Sequence, residues 1–302
     1  MSSQPILQID VAPGAFLQNA ERRLYVEGEP HSIDKEVVSI LTKGLGLSIS
    51  SLGTSSNIRA AASALHADHP TYAYLIDRDY LDAPSVEDAW RDFPNPDRGN
   101  LLIWRKRSIE NYFLDIEWLS KSTLFVPTKR QYLVEKLERV ARDRLFLDAA
   151  NLTIVTARGT LFKNSIKFDS DLQRYRTLAE GLAALLARPE WKSTPKTIAK
   201  NFAPHKVKAS YGEIVAEMLG PGMSAPRYGY GTWADKMDAK PLSEAVFNSS
   251  AFRVPSISGI RKLTAREKRS AIIRDLIESS PELPNDFVEL RKMLAMHLSR
   301  SD

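Results

Sequence analysis

The sequence predicts an α/β protein: a parallel sheet flanked by helices in the first third of the chain, followed by a mostly α-helical C-terminal lobe. Three observations carry this expectation. Short, continuously apolar runs alternate with helix-like segments up to about residue 115, the pattern of strands buried on both faces. Each run closes on Gly, Asp or Pro punctuation or on a basic segment. From residue 116 the texture becomes amphipathic and basic, with Pro- and Gly-bearing breaks and no internal repeat. The expected domains are therefore 1–115 and 116–302.

Taken in order, Leu24-Tyr25-Val26 reads as a first strand, ended by Glu27-Gly28-Glu29-Pro30. Ser32 is the N-cap of a helix whose stripe is Ile33, Val37, Ile40 and Leu41, and Gly44 and Gly46 stop it. Leu47 to Leu52 is a second strand, and Gly53-Thr54-Ser55-Ser56 leads into a helix over Asn57 to Ala67. Tyr72 to Ile76 is a third strand, closed by Asp77-Arg78-Asp79. Asp82 to Gly99, rich in Asp and Pro, reads as a loop before a fourth strand, Leu101 to Trp104. Amphipathic helices are then expected over Gln131 to Val140, Leu172 to Ala187, Tyr211 to Leu219, Arg266 to Ser279 and Asp286 to Ser299.

Composition narrows the chemistry. With 302 residues and 43% apolar content the chain can bury a sizeable core, a 26% charged fraction suits a soluble globular protein, and the lack of cysteine fits a cytoplasmic one. No apolar run approaches the ~20 residues that span a bilayer, so no membrane association is expected, and the first residues lack a signal-peptide layout. The absence of cysteine excludes disulfides, thiol nucleophiles and thiolate metal sites. The net charge of +5 hides an asymmetry. Residues 1–115 hold 11 basic and 16 acidic side chains, whereas the remainder holds 31 and 21. An acidic front joined to a basic back suits an anionic partner, nucleic acid being the commonest, although a solvated helical surface gives the same count.

The acidic front holds the groups that do chemistry. In a parallel sheet, ligands bind beyond the carboxyl ends of the strands. Two of these ends carry Glu27 and the pair Asp77 and Asp79. Mg²⁺ takes hard oxygen ligands, commonly one or two carboxylates completed by water and phosphate. A Glu on a neighbouring strand end could hold a second ion or move a proton during attack on a phosphodiester. An isolated Asp-x-Asp is also an ordinary solvated turn. Haloacid-dehalogenase-like phosphatases place the motif on the first strand, followed by Thr or Val; here it follows the third and precedes Tyr80-Leu81. A receiver domain needs an acidic pair on the first strand, nothing else here supports a glycosyltransferase, and no P-loop motif is present.

With Glu27 after the first strand and Asp77-x-Asp79 after the third, residues 22–115 resemble the TOPRIM fold of topoisomerases, primases and OLD-type nucleases. The run Ser108-Ile109-Glu110-Asn111-Tyr112 is similar to that of the DUF4435 type of TOPRIM protein. Glu-Gly-x-Pro-x-Ser-x-Asp over residues 27–34, with a helical C-terminal lobe, resembles the effector nucleases of PARIS anti-phage systems. The resemblance implies a Mg²⁺-dependent endonuclease, with Mn²⁺ as a substitute ion. It implies Glu27, Asp77 and Asp79 as catalytic and metal-binding residues and Glu110 as a further metal ligand. An RNA target, tRNA in particular, and restraint by an ATPase sensor subunit follow from the same likeness. Nucleases of this type are often homodimers. Many relatives follow Glu-Gly almost directly with Asp-Lys; here Glu29 to Ile33 intervene before Asp34-Lys35, which leaves the roles of those two open. Two other functions stand beside this one: a non-catalytic subunit docking on an ATPase, and an OLD-like DNA endonuclease.

Arg105, Lys106 and Arg107 could hold the scissile phosphate or solvate the start of the next segment. Tyr228, Tyr230 and Trp233, near Arg227, could stack on unpaired bases or pack in the core. His31 reads as a polar loop residue, and the other four histidines show no metal-ligand pairing.

Overall fold

The structure is a computed structural model and describes residues 22–158, 169–189, 200–255 and 263–299. The N-terminal segment searched for a signal peptide lies outside the described residues. Four parallel strands form one sheet: β1 (Arg23–Val26), β2 (Ser48–Ser51), β3 (Ala73–Ile76) and β4 (Leu101–Ile103). Their order is β2-β1-β3-β4, and Tyr25 pairs with Ser50 on one side and Tyr74 on the other. Every residue of the two central strands is buried. Flanking β2, with sequence Ser-Ile-Ser-Ser, is polar and partly exposed, which suits an edge. Tyr25 and Tyr74 stack across the central pair at 5.4 Å. Rings of this size each contribute about 1.5–3 kcal/mol by leaving water.

Helices α1 (Ile33–Leu41), α2 (Ser55–Leu65) and α3 (Ala83–Arg91) connect the strands. Right-handed crossovers place α1 on one face of this sheet and α2 with α3 on the other. The Ser32 side chain accepts from Lys35 N–H and caps α1 as expected; Thr54 caps α2 in the same way. One expectation is corrected here: the segment read as a loop from Asp82 to Gly99 contains α3. Asp82 is its N-cap, Pro84 sits in its first turn where a missing N–H costs nothing, and Val86, Ala89 and Trp90 are buried.

Two compact units result. The first comprises the described residues up to Ile109 together with those from Ile273 onward, and the second runs from Glu110 to Ile272. The boundary thus falls six residues before the one read from composition, and the last stretch groups with the sheet rather than with the basic lobe. In the first unit, α11 (Asn285–Ser299) brings Phe287 to Trp104 at 5.6 Å, and its Arg291 guanidinium donates to the carbonyls of Leu41 and Lys43.

The second unit is helical, as expected. It contains α4 (Ile116–Leu119), α5 (Arg130–Arg158), α6 (Leu178–Leu186), α7 (Pro204–Leu219), α8 (Trp233–Lys236) and α9 (Ala239–Phe247); α10 (Ala265–Ser279) spans the division. The long α5 is its axis, buried at Leu133, Leu137, Ala141 and Leu145. No described helix is long and apolar enough to cross a membrane.

Candidate active site

The strand order reverses between β1 and β3, so the crevice beyond their carboxyl ends is the topological switch point of the sheet. Glu27 follows β1 and Asp77 follows β3, which sets both carboxylates at that crevice. The two residues are in contact through the backbone: the Asp77 N–H donates to Glu27 Oε2 at 3.3 Å.

The turn holding Glu27 is built around Gly28, whose φ is +95°. A Cβ there would lie 2.6 Å from Cβ of Ser32 and 2.7 Å from its Oγ, so only glycine fits. Gly28 and Gly53 exchange backbone hydrogen bonds of 2.7 and 3.2 Å, tying the ends of β1 and β2 together. Ser32 Oγ, while capping α1, also donates to the Glu27 carbonyl at 3.3 Å. Asp34, whose role the sequence left open, is buried in the first turn of α1. Its Oδ2 lies 3.7 Å from where that Gly28 Cβ would be, so its carboxylate borders the Glu27 turn. A carboxylate in a first helical turn is favoured by the helix dipole.

The Asp77-Arg78-Asp79 turn is clamped to the segment after β4. Arg78 Nη1 donates to the Arg105 carbonyl at 3.0 Å, and Asp79 N–H donates to the Arg107 carbonyl at 2.8 Å. Asp77 Oδ1 accepts from Ile109 N–H at 3.2 Å. Asp79 takes a left-handed φ of +50°, uncommon outside glycine but tolerated by aspartate. The motif is therefore an ordered turn held by three backbone-directed bonds rather than a solvated loop.

One residue that sequence reasoning missed joins this group. Arg59, in α2, is exposed over much of its surface, but protein crowds its guanidinium. That desolvation lowers its pKa below the ordinary value, and the opposing pull of Glu27 and Asp79 only partly offsets it. It remains a cation at physiological pH. A lone arginine in the second turn of a helix belongs to no motif, and only the fold brings it to the acids.

The other predicted residues lie differently. Arg105, expected to hold a phosphate, is committed to protein carboxylates. Its Nε lies 3.1 Å from Glu87, its Nη1 3.0 Å from Asp286 and 2.6 Å from Glu289, and its guanidinium covers the Trp90 ring at 4.2 Å. Burial opposes its charge, yet these bonds outweigh it and raise its pKa. Arg107 lies over the Tyr80 ring at 4.6 Å and donates to the Tyr80 hydroxyl at 2.5 Å. Lys106 is half-buried. Glu110 belongs to the second unit, in a 3₁₀ turn over Ile109–Leu114, where it is buried and its Oε2 has no hydrogen-bond partner among the described residues. Of the aromatics, Trp233 is buried and donates from Nε1 to the Arg227 carbonyl at 2.9 Å, and the Tyr228 hydroxyl accepts from Ile116 N–H. Both are packing residues, and Tyr230 is the exposed one of the three.

Among the described residues no group of three or more His, Asp or Glu side chains is gathered as a metal shell. The donors at the crevice are hard carboxylate oxygens, and the Glu27 carboxylate is bonded to the backbone of the residue that carries the second, Asp77. That set suits a Mg²⁺ ion completed by water and phosphate, not an all-protein cage. Comparison of the chain with protein-family models, with curated proteins and with solved structures finds no match.

Proposed function

We propose that the protein is a Mg²⁺-dependent endonuclease that cleaves phosphodiester bonds in nucleic acid, with RNA, tRNA above all, as its substrate and anti-phage defence as its setting. The observation that carries the reading is the meeting of Glu27 and Asp77 at the switch point, with Asp79 and Arg59 in electrostatic reach. Glu27 and Asp77 would hold the ion, which supplies Lewis acidity toward the phosphodiester. The remaining work falls to side chains. Ile109 N–H orients Asp77, the Gly28–Ser32 packing orients Glu27, and a carboxylate so placed takes the proton of the attacking nucleophile. Arg59 offers a planar fork to the phosphate oxygens, and Lys106 and Arg107 add positive charge nearby in sequence. Substrate affinity comes mainly from the basic second unit. The resemblance to PARIS effectors supports an ATPase sensor as the restraining partner, and the broader likeness to TOPRIM nucleases supports a homodimer as the working form.

A second reading is a non-catalytic subunit that binds phosphate and docks on an ATPase. It is favoured by the engagement of Arg105 with protein carboxylates. Incubation of the purified chain with total tRNA and with plasmid DNA, with and without Mg²⁺, separates the two. Cleavage of RNA that requires Mg²⁺ supports the nuclease, cleavage of DNA alone supports the OLD-like alternative, and cleavage of neither supports the docking subunit.

A further inference from the structure

A cleft of about 490 Å³ opens between α2 and α3 over β4, and of its lining only Arg59 enters the function proposed above. Its volume falls within the range of small-ligand sites, roughly 300–1,000 Å³. Arg59 lines one part of it and Leu81, two residues beyond Asp79, another, so the cleft opens beside the Asp77–Asp79 turn; Glu27 and Asp79 also act on the Arg59 charge. The helix runs on from Arg59 to His66, a further cleft residue, so the lining extends about 10 Å along α2 at 1.5 Å per residue.

The lining is two-sided in character. Leu81 and Ile103 provide apolar wall, while Ser85, His66, Asp88 and Asp97 provide hydrogen-bonding groups. His66 Nδ1 lies 3.2 and 3.0 Å from the carbonyls of Ala62 and Ser63, which can only accept; the proton therefore sits on Nδ1, and Nε2 is left as the other hydrogen-bonding atom of the ring. A guanidinium at one end suits one phosphate. Asp97, with Asp88 paired to Arg91 beside it, disfavours a second phosphate in the lining but accepts hydrogen bonds from ribose hydroxyls. A continuous polyanionic strand threading the cleft is disfavoured on the same ground. One phosphate followed by an uncharged, flat, hydroxyl-bearing group is what the lining fits.

We propose that this cleft is a nucleotide subsite: Arg59 holds a phosphate beside the carboxylates, and the attached ribonucleoside inserts between α2 and α3. The assignment rests on the nuclease reading and names its substrate more closely. It makes the cleft the part of the first unit that reads the nucleotide next to the cut, and it favours ribose over deoxyribose there.

The test measures binding apart from turnover. The full chain carrying Glu27→Gln is titrated calorimetrically with the four ribonucleoside 5′-monophosphates, their deoxy counterparts and inorganic phosphate, alone and with Arg59→Ala, His66→Ala or Ser63→Trp added. Ser63 lines the cleft and is exposed on α2, so a large side chain there fills space without entering the core. At least one ribonucleoside monophosphate is expected to bind more tightly than its deoxy form, with a tenfold or greater loss in Arg59→Ala and Ser63→Trp. Absence of binding to every nucleotide, or unchanged binding in Ser63→Trp with native circular dichroism, overturns the proposal. Inorganic phosphate competing as well as the monophosphate overturns its nucleoside part. If Ser63→Trp fails to fold, unchanged binding in both Arg59→Ala and His66→Ala overturns it instead. Nucleotide binding in a wild-type chain that cleaves nothing contradicts the nuclease reading and leaves the cleft standing. RNA cleavage at unaltered positions in Ser63→Trp contradicts the cleft alone.

Discussion

Gly28 shows how a single residue prepares a candidate catalytic group. Its left-handed φ and its packing against Ser32 fix where the chain leaves β1, and with that where Glu27 points. A Gly28→Ala substitution must strain both the backbone and the contact. We expect a loss of about 1–3 kcal/mol in denaturant-derived stability, with any cleavage activity falling further than stability alone explains. The milder Ser32→Ala removes the α1 cap and the bond to the Glu27 carbonyl, and a loss of about 1 kcal/mol is expected. Much of this was legible in the sequence. Glu-Gly at a strand end, Ser32 as a cap and Asp-x-Asp after an apolar strand are local patterns, and each has a local cause. Arg59 and the true setting of Arg105 were not legible, because both depend on partners far away in the chain.

Elements carry the next set of consequences. Arg105 joins α3 through Glu87 and α11 through Asp286 and Glu289 to the segment just past β4. It acts as a bracket, and Arg105→Ala should lower stability by about 1–3 kcal/mol because the carboxylates lose their hydrogen-bond donor. Lys106→Ala should weaken nucleic-acid binding, measured by filter binding at fixed salt. Helix α3 offers a pH test. The Ser85 backbone N–H bonded to the Asp82 carboxylate lowers that group's pKa. A depressed carboxylate stabilises the fold above its ordinary range and loses that contribution as pH falls through its lowered value. The stability gap between wild type and Asp82→Ala should therefore shrink on acidification. α3 escaped sequence reading because Pro84 and three aspartates resemble loop chemistry. Yet a capping Asp, a first-turn Pro and the buried Val86, Ala89 and Trp90 are equally the marks of a helix start.

For the molecule as a whole, the charge asymmetry proves more than an accident of where the sequence is cut. Counted over the structural units, residues 1–109 with 273–302 carry −5 and residues 110–272 carry +10, the same split that composition gave at a different boundary. The shift of the last helix into the acidic unit, which no local pattern announced, leaves the contrast intact. Affinity for nucleic acid should accordingly depend steeply on salt, falling at least about tenfold between 50 and 200 mM as counterions are released. The slope should be unchanged in Glu27→Gln, since the basic unit supplies it. The central claim is that Glu27 and Asp77 together perform phosphodiester cleavage. Single-turnover cleavage of tRNA in Mg²⁺ by wild type, Glu27→Gln, Asp77→Asn and the double variant tests it most directly. The account predicts that each single substitution costs about 10²–10⁴-fold in rate with binding retained, and that the double costs little more than either. Cleavage at the wild-type rate by either single variant would contradict it.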